Sequence, residues 1–232
     1  WTYSTGADVS QVTISADGSY IAAGSKDNNV YLFDKDSSTP LWSYNTGGTV
    51  GCVDISADGA YIVAGNNINV VYLFDRDSST PLWNYVTGDE VWAVSVSSDG
   101  QYIVAGSDDD KVYVFHNEVK ERSELPWSYE TGNFVVSSAI SDDGEYIAAA
   151  SYDKKVYLFD KDSSTPLWSY ETGSMVLWID ISADGEYIVA GSGDNKVYLF
   201  DKDSGTPLWN YTTGETLQYY SVSISADGER IV

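Results

Sequence analysis

The sequence predicts an all-β protein: a β-propeller of four-stranded blades, five complete and a sixth, incomplete one shared by the termini. Three observations predict it: a unit of about 41 residues that recurs, four short strand-like segments in each unit, and an Asp-Gly turn between the first two segments. Trp1, Trp42, Trp83, Trp127, Trp168 and Trp209 mark equivalent positions, separated by 41, 41, 44, 41 and 41 residues. The units therefore occupy residues 1–41, 42–82, 83–126, 127–167 and 168–208, with a partial one at 209–232, all within a single domain. The three extra residues of the third unit fall in Asn117–Leu125, which replaces the usual Lys-Asp-Ser-Ser-Thr-Pro-Leu.

In the first unit the four strands are expected at Val9–Ser15, Tyr20–Gly24, Val30–Asp34 and Leu41–Tyr44. Ser15-Ala16-Asp17-Gly18 lies between the first two, and Ser-x-Asp-Gly recurs in all six units. Its glycine accepts the positive φ that a tight hairpin needs. The third strand, Val30-Tyr31-Leu32-Phe33, is apolar on both faces and so must be sandwiched. In a propeller the neighbouring blades do this without helices. The second strand ends in small residues (Ala22-Ala23-Gly24), which lets the next blade approach closely, and the fourth-strand tryptophan fills the widening gap on the outside. The ends complement each other. Trp1–Gly6 matches a fourth strand and Leu217–Val232 a first and a second, so the missing third strand is expected from a longer parent chain, a partner chain or an oligomer.

Composition limits the partners. Thirty-five acidic residues against 12 basic ones give a net charge of −23, which repels nucleic acid and anionic lipid. Hydrophobic content of 43% and aromatic content of 14% exclude a disordered chain. No apolar run reaches the length of a membrane-spanning helix, so membrane insertion is not expected. Cys52 is the only cysteine and reads as a small core residue; His116 is the only histidine, beside the irregular segment, and reads as a surface or loop-packing residue.

Two repeat families are resembled. Ser15–Val30, with Ser-x-Asp-Gly-x-Tyr-Ile-x-Ala-Gly-Ser-x-Asp-x-x-Val, is similar to the middle of a WD-repeat. Asp27, Asp109, Asp153 and Asp194 stand where that family keeps a structural aspartate, and the resemblance implies a hydrogen-bonding brace within each blade; the second unit has Ile68 there instead. Phe33-Asp34 occupies the place of the Trp-Asp pair, and no Gly-His opens a unit. Asp34–Gly47 resembles the tryptophan-docking stretch of quinoprotein-type (PQQ-like) repeats, which raises a redox or assembly domain as an alternative. No cofactor is expected, since neither an adjacent cysteine pair nor a cluster of unlike polar residues is present. The chain reads as a non-enzymatic scaffold, with a structural cell-surface module as a further alternative.

Candidate sites divide by whether they repeat. The acidic turns Asp34-x-Asp36 and Asp160-x-Asp162 begin like a calcium loop but lack its sharp-turn glycine and distal Glu, and Asp and Ser also bond their own backbone in turns. The residues around the start of each first strand change from unit to unit while the scaffold is held. Phe134, Met175, Gln218 and Tyr219 belong to this set, with Trp92 and Trp178 as tryptophans outside the repeating position. These positions are expected at the mouth of the central channel, offering a surface to a protein, peptide or glycan. An acidic surface and near-identical units point to an extracellular or cell-surface setting.

Overall fold

A computed structural model describes residues 1–117, 127–214 and 221–232. Five antiparallel four-stranded sheets follow one another along the chain, each with its strands in sequence order. Blade 1 holds β1 (Val9–Ile14), β2 (Tyr20–Ser25), β3 (Asn29–Asp34) and β4 (Trp42–Asn45). Blade 2 holds β5 (Val50–Ile55), β6 (Tyr61–Asn66), β7 (Val70–Asp75) and β8 (Pro81–Val86). Blade 3 holds β9 (Val91–Val96), β10 (Tyr102–Ser107), β11 (Lys111–His116) and β12 (Trp127–Glu130). Blade 4 holds β13 (Val135–Ile140), β14 (Tyr146–Ser151), β15 (Lys155–Asp160) and β16 (Trp168–Glu171). Blade 5 holds β17 (Val176–Ile181), β18 (Tyr187–Ser192), β19 (Lys196–Asp201) and β20 (Ser204–Thr212). Neighbouring first strands pack side by side around the axis, which makes the molecule a β-propeller.

The core is a series of layers between blades. Ala22, Val30 and Leu32 of blade 1 meet Val50, Val53 and Phe74 of blade 2, and the same arrangement recurs between each later pair. Small residues at the end of the second strand permit it: a side chain at Gly24 would put its Cβ 2.7 Å from Val50. The outer tryptophans join consecutive blades. Trp42 lies 5.3 Å from Phe74 of the next blade, and its indole N–H donates to the Arg76 carbonyl at 2.7 Å. Trp1, Trp127 and Trp168 do the same with Lys35, Lys161 and Lys202. Trp83 packs on Phe115 of the next blade, but among the described residues its buried indole N–H meets no acceptor; that next blade carries Asn117 and the irregular segment where the others have the acidic turn.

All six Ser-x-Asp-Gly turns close in the expected way. Ser15 donates to Asp17 at 2.7 Å, Asp17 accepts from the Ser19 amide, and Gly18 has φ +71°. Each turn is also bonded to the next, from Ala16 to Ala57, Ala57 to Ser98, Ser98 to Asp142, Asp142 to Ala183 and Ala183 to Ala226. At the sixth position Ile224 bridges Ile231, and Val222 and Ile224 pack on blade 5. Trp1 takes the fourth-strand place against Phe33. Among the described residues no hydrogen bond joins Trp1–Ser4 to Ser221–Val232, and β1 leaves Val9, Val12 and Ile14 exposed where Val50, Val53 and Ile55 are buried.

Candidate functional site

The first strand of every blade carries a β-bulge near its start. Val91 faces Ser107 and Ala93 faces Gly106, leaving Trp92 unpaired, and Ser10, Gly51, Val136 and Leu177 occupy the same place in the other blades. A bulge takes its residue out of the ladder, here at the starting end of the first strand. The turn between the second and third strands reaches the same end. Its variable residue donates a backbone N–H to the residue just before the first strand: Asp108 to Glu90, Tyr152 to Phe134 and Gly193 to Met175, at 2.8–2.9 Å. Each blade therefore presents a tied group of variable residues.

In blades 3 to 5 these groups enclose a cavity of about 350 Å³, lined by Trp92, Asp108, Phe134, Val136, Tyr152, Leu177 and Trp178. Phe134 and Tyr152 stand 6.2 Å apart, and Trp92, Phe134 and Trp178 are 50%, 40% and 36% exposed, more than packing residues require. Among the described residues Asp108 is the only carboxylate in the lining, and its Oδ1 is buried without a hydrogen-bond donor. Burial raises the Asp108 carboxyl above the ordinary range; the Trp92 indole N–H works against this, and the charges of Asp89, Asp110 and Asp109 add to it. Glu90 is raised as well, by burial and by Asp108 and Asp89.

Residues 86–229, more than half of the chain, match the family described as outer membrane protein assembly factor BamB. The chain belongs to that family. Residues 2–34 match the WD domain, G-beta repeat, so both resemblances read from the motifs reappear as family matches. No curated protein matches the chain. The cavity falls wholly within the stretch matched to the BamB family.

Of the six residues singled out as a binding set, the structure brings Trp92, Phe134 and Trp178 together. Met175 is half-buried and stands outside the cavity lining, its carbonyl bonded to Gly193; Gln218 and Tyr219 lie outside the described residues. Sequence reasoning missed Asp108 and Tyr152. The signal was present, because the residue after the second strand reads Lys26, Asn67, Asp108, Tyr152 and Gly193 and varies as freely as the positions beside the first strand.

The repeating acids are engaged in the scaffold. Asp27 accepts from the Gly6 amide at 2.7 Å, the Tyr31 hydroxyl at 2.7 Å and the Asn29 amide at 3.0 Å. Asp109, Asp153 and Asp194 repeat this with Gly88, Gly132 and Gly173 and with Tyr113, Tyr157 and Tyr198. The glycine sits in the loop arriving from the preceding blade, so the brace expected within one blade in fact ties two together. Burial would raise Asp27, but the bonds from Tyr31, Gly6 and Asn29 prevail and hold it below the usual carboxylate range. Burial, together with the Asp27 bond and charge, pushes Tyr31 up to about 12. Blade 2 manages differently: Asn66 accepts from the Ile68 and Val70 amides, and Tyr72 donates to the Thr46 carbonyl.

The acidic turns close on themselves. Asp34 accepts from the Asp36 amide and Asp160 from the Asp162 amide, both at 2.8 Å, while Asp36 and Asp162 pair with Lys35 and Lys161. Among the described residues no group of three or more His, Cys, Asp or Glu side chains is placed to hold a metal ion. Cys52 is buried with its Sγ 3.6 Å from the Val91 carbonyl, and burial pushes its thiol up to about 12. His116 packs on Tyr102 at 4.9 Å.

One acid group was invisible from the sequence. Asp54, on β5, accepts from the Ile55 and Val96 amides and the Thr13 hydroxyl, so one carboxylate touches three consecutive blades. Burial pushes it up to about 6, and the charge of Asp180 adds to this. Asp180 makes the corresponding bonds to Ser223 and Ile224.

Proposed function

We propose that the chain is a non-enzymatic propeller scaffold that docks a protein or peptide partner at the channel mouth, through the surface formed by Trp92, Phe134 and Trp178. The observation that carries this reading is the convergence of variable, half-exposed aromatics from three successive blades on one cavity, while scaffold residues repeat around them. The BamB family's description as an assembly factor supports a partner-binding role and a place in the cell envelope. The redox alternative finds less support. An anionic quinone would need cations to balance its charge, whereas the one charged side chain among the described lining residues is the Asp108 carboxylate, so the residues do not fit it.

The test is the double variant Trp92→Ala, Trp178→Ala beside the unaltered protein, screened against displayed peptides and a glycan array. Peptides selected on the unaltered protein should bind the variant at least ten-fold more weakly, with the melting temperature unchanged within a degree or two. A fall of several degrees with no ligand lost would make the two indoles packing residues and end this reading. Binding confined to glycans would replace the partner class.

A further inference from the structure

The surroundings of the cavity are one-signed. Trp92, Phe134, Tyr152 and Trp178 supply four aromatic walls, Val136 and Leu177 complete them, and among the described residues no lysine, arginine or histidine lines the space. Aromatic faces carry the negative end of the ring quadrupole and attract cations. Asp108 adds a negative charge; the Trp92 indole N–H bonds its carboxylate, while its buried Oδ1 has no donor among the described residues. Asp89, Glu90, Asp109 and Asp110 surround it, within a chain of net charge −23. A volume of about 350 Å³ is at the small end for a bound molecule and suits one long side chain, its stem on the rings and its head on the acid.

We propose that this cavity takes the cationic side chain of a lysine or arginine presented by an extended segment of a protein partner. The inference rests on the docking reading above and names what that surface recognises. Asp108 is the anchoring acid, and Trp92, Trp178, Phe134 and Tyr152 are the aromatic walls. A ligand of this kind neutralises a crowded group of acids in one step. An anionic partner would add charge to that group, and a neutral one would leave it unrelieved.

The test uses twin labelled peptides of Gly and Ser with one central lysine or one central N6-acetyl-lysine, titrated into the full chain by fluorescence anisotropy at low and physiological salt. The lysine peptide should bind about ten-fold more tightly than its acetylated twin, the size expected of a partly desolvated cation on aromatic faces. Asp108→Asn should bring the twins close to parity, whereas Trp92→Ala with Trp178→Ala should weaken both. Equal binding of the twins to the unaltered protein overturns the cation inference; if that binding still depends on the two tryptophans, the docking surface stands without it. A gap that persists in Asp108→Asn reports the bulk charge of the protein and also overturns it. If neither twin binds and the Trp92 and Trp178 indole signals do not move in NMR spectra, the inference and the docking reading fall together.

Discussion

Two aspartates show how the same side chain acquires opposite electrostatics. Asp27 accepts three strong bonds and is held low; Asp54 is buried facing the charge of Asp180 and is pushed up to about 6, from an ordinary 3.8. The sign for Asp54 follows from proton counting. Between 3.8 and 6 the folded chain keeps a proton that the unfolded chain has lost, so this group's contribution to stability falls as pH rises through that window. The loss is on the order of 1–3 kcal/mol, complete above about pH 6. Urea midpoints at pH 4 and pH 7 should therefore differ less in Asp54→Asn than in the unaltered protein, and an identical difference would clear Asp54 of the effect. The repeating aspartates permit a second test. Asp153→Ala removes acceptors for Gly132, Lys155 and Tyr157 and should cost about 2 kcal/mol in chemical denaturation. Blade 2, with Ile68, shows that a blade survives without this acid, so the variant should fold; no loss of stability would mean that the bonds merely replace equivalent ones to water. The identity of these braces was legible because the residue repeats. The blade-to-blade reach was not, because Gly6 and Asp27 are joined only once the incoming loop is folded.

Turns and bulges set the limits of what a strand pattern reveals. The Ser-x-Asp-Gly hairpins were readable because everything they need is local: a hydroxyl, a carboxylate two residues on, and a glycine. Their second role was hidden. Each later turn glycine also supports the tyrosine that begins the second strand of the preceding blade, and a Cβ at Gly100 would lie 2.1 Å from Tyr61. Gly18 has the same φ of +71° but nothing nearer than Ile14 at 4.0 Å. Gly18→Ala should thus cost only the left-handed penalty, about 1 kcal/mol, while Gly100→Ala adds a steric clash and should cost at least twice as much. Equal shifts in melting temperature for the two variants would show that the tyrosine moves aside freely. Bulges escape sequence reading altogether, since an unpaired residue is a property of two strands and not of one. Trp92 was found by its variation; that it leaves the ladder came only from the pairing of Val91 with Ser107 and Ala93 with Gly106.

At the scale of the molecule, stability resides between blades, and the residues of a first strand equivalent to Val50, Val53 and Ile55 are buried against the blade before it. The valine series makes this measurable. Val53 is fully buried against blade 1, while Val12, its equivalent one unit earlier, is 56% exposed. The two residues share chemistry, strand position and local sequence, so propensity is the same at both and the packing term is isolated. Removing two methyl groups from a packed interior forfeits their transfer energy and leaves a cavity, and Val53→Ala should cost about 2 kcal/mol. Val12, more than half exposed and in no buried cluster, should lose no more than about 0.5 kcal/mol on truncation to Ala. Both are read by equilibrium urea unfolding at several protein concentrations. If Val12→Ala proves as costly as Val53→Ala, the outer face of β1 is covered in solution. Dependence of that cost on concentration would then identify the cover as a second copy, and independence would place it within one chain.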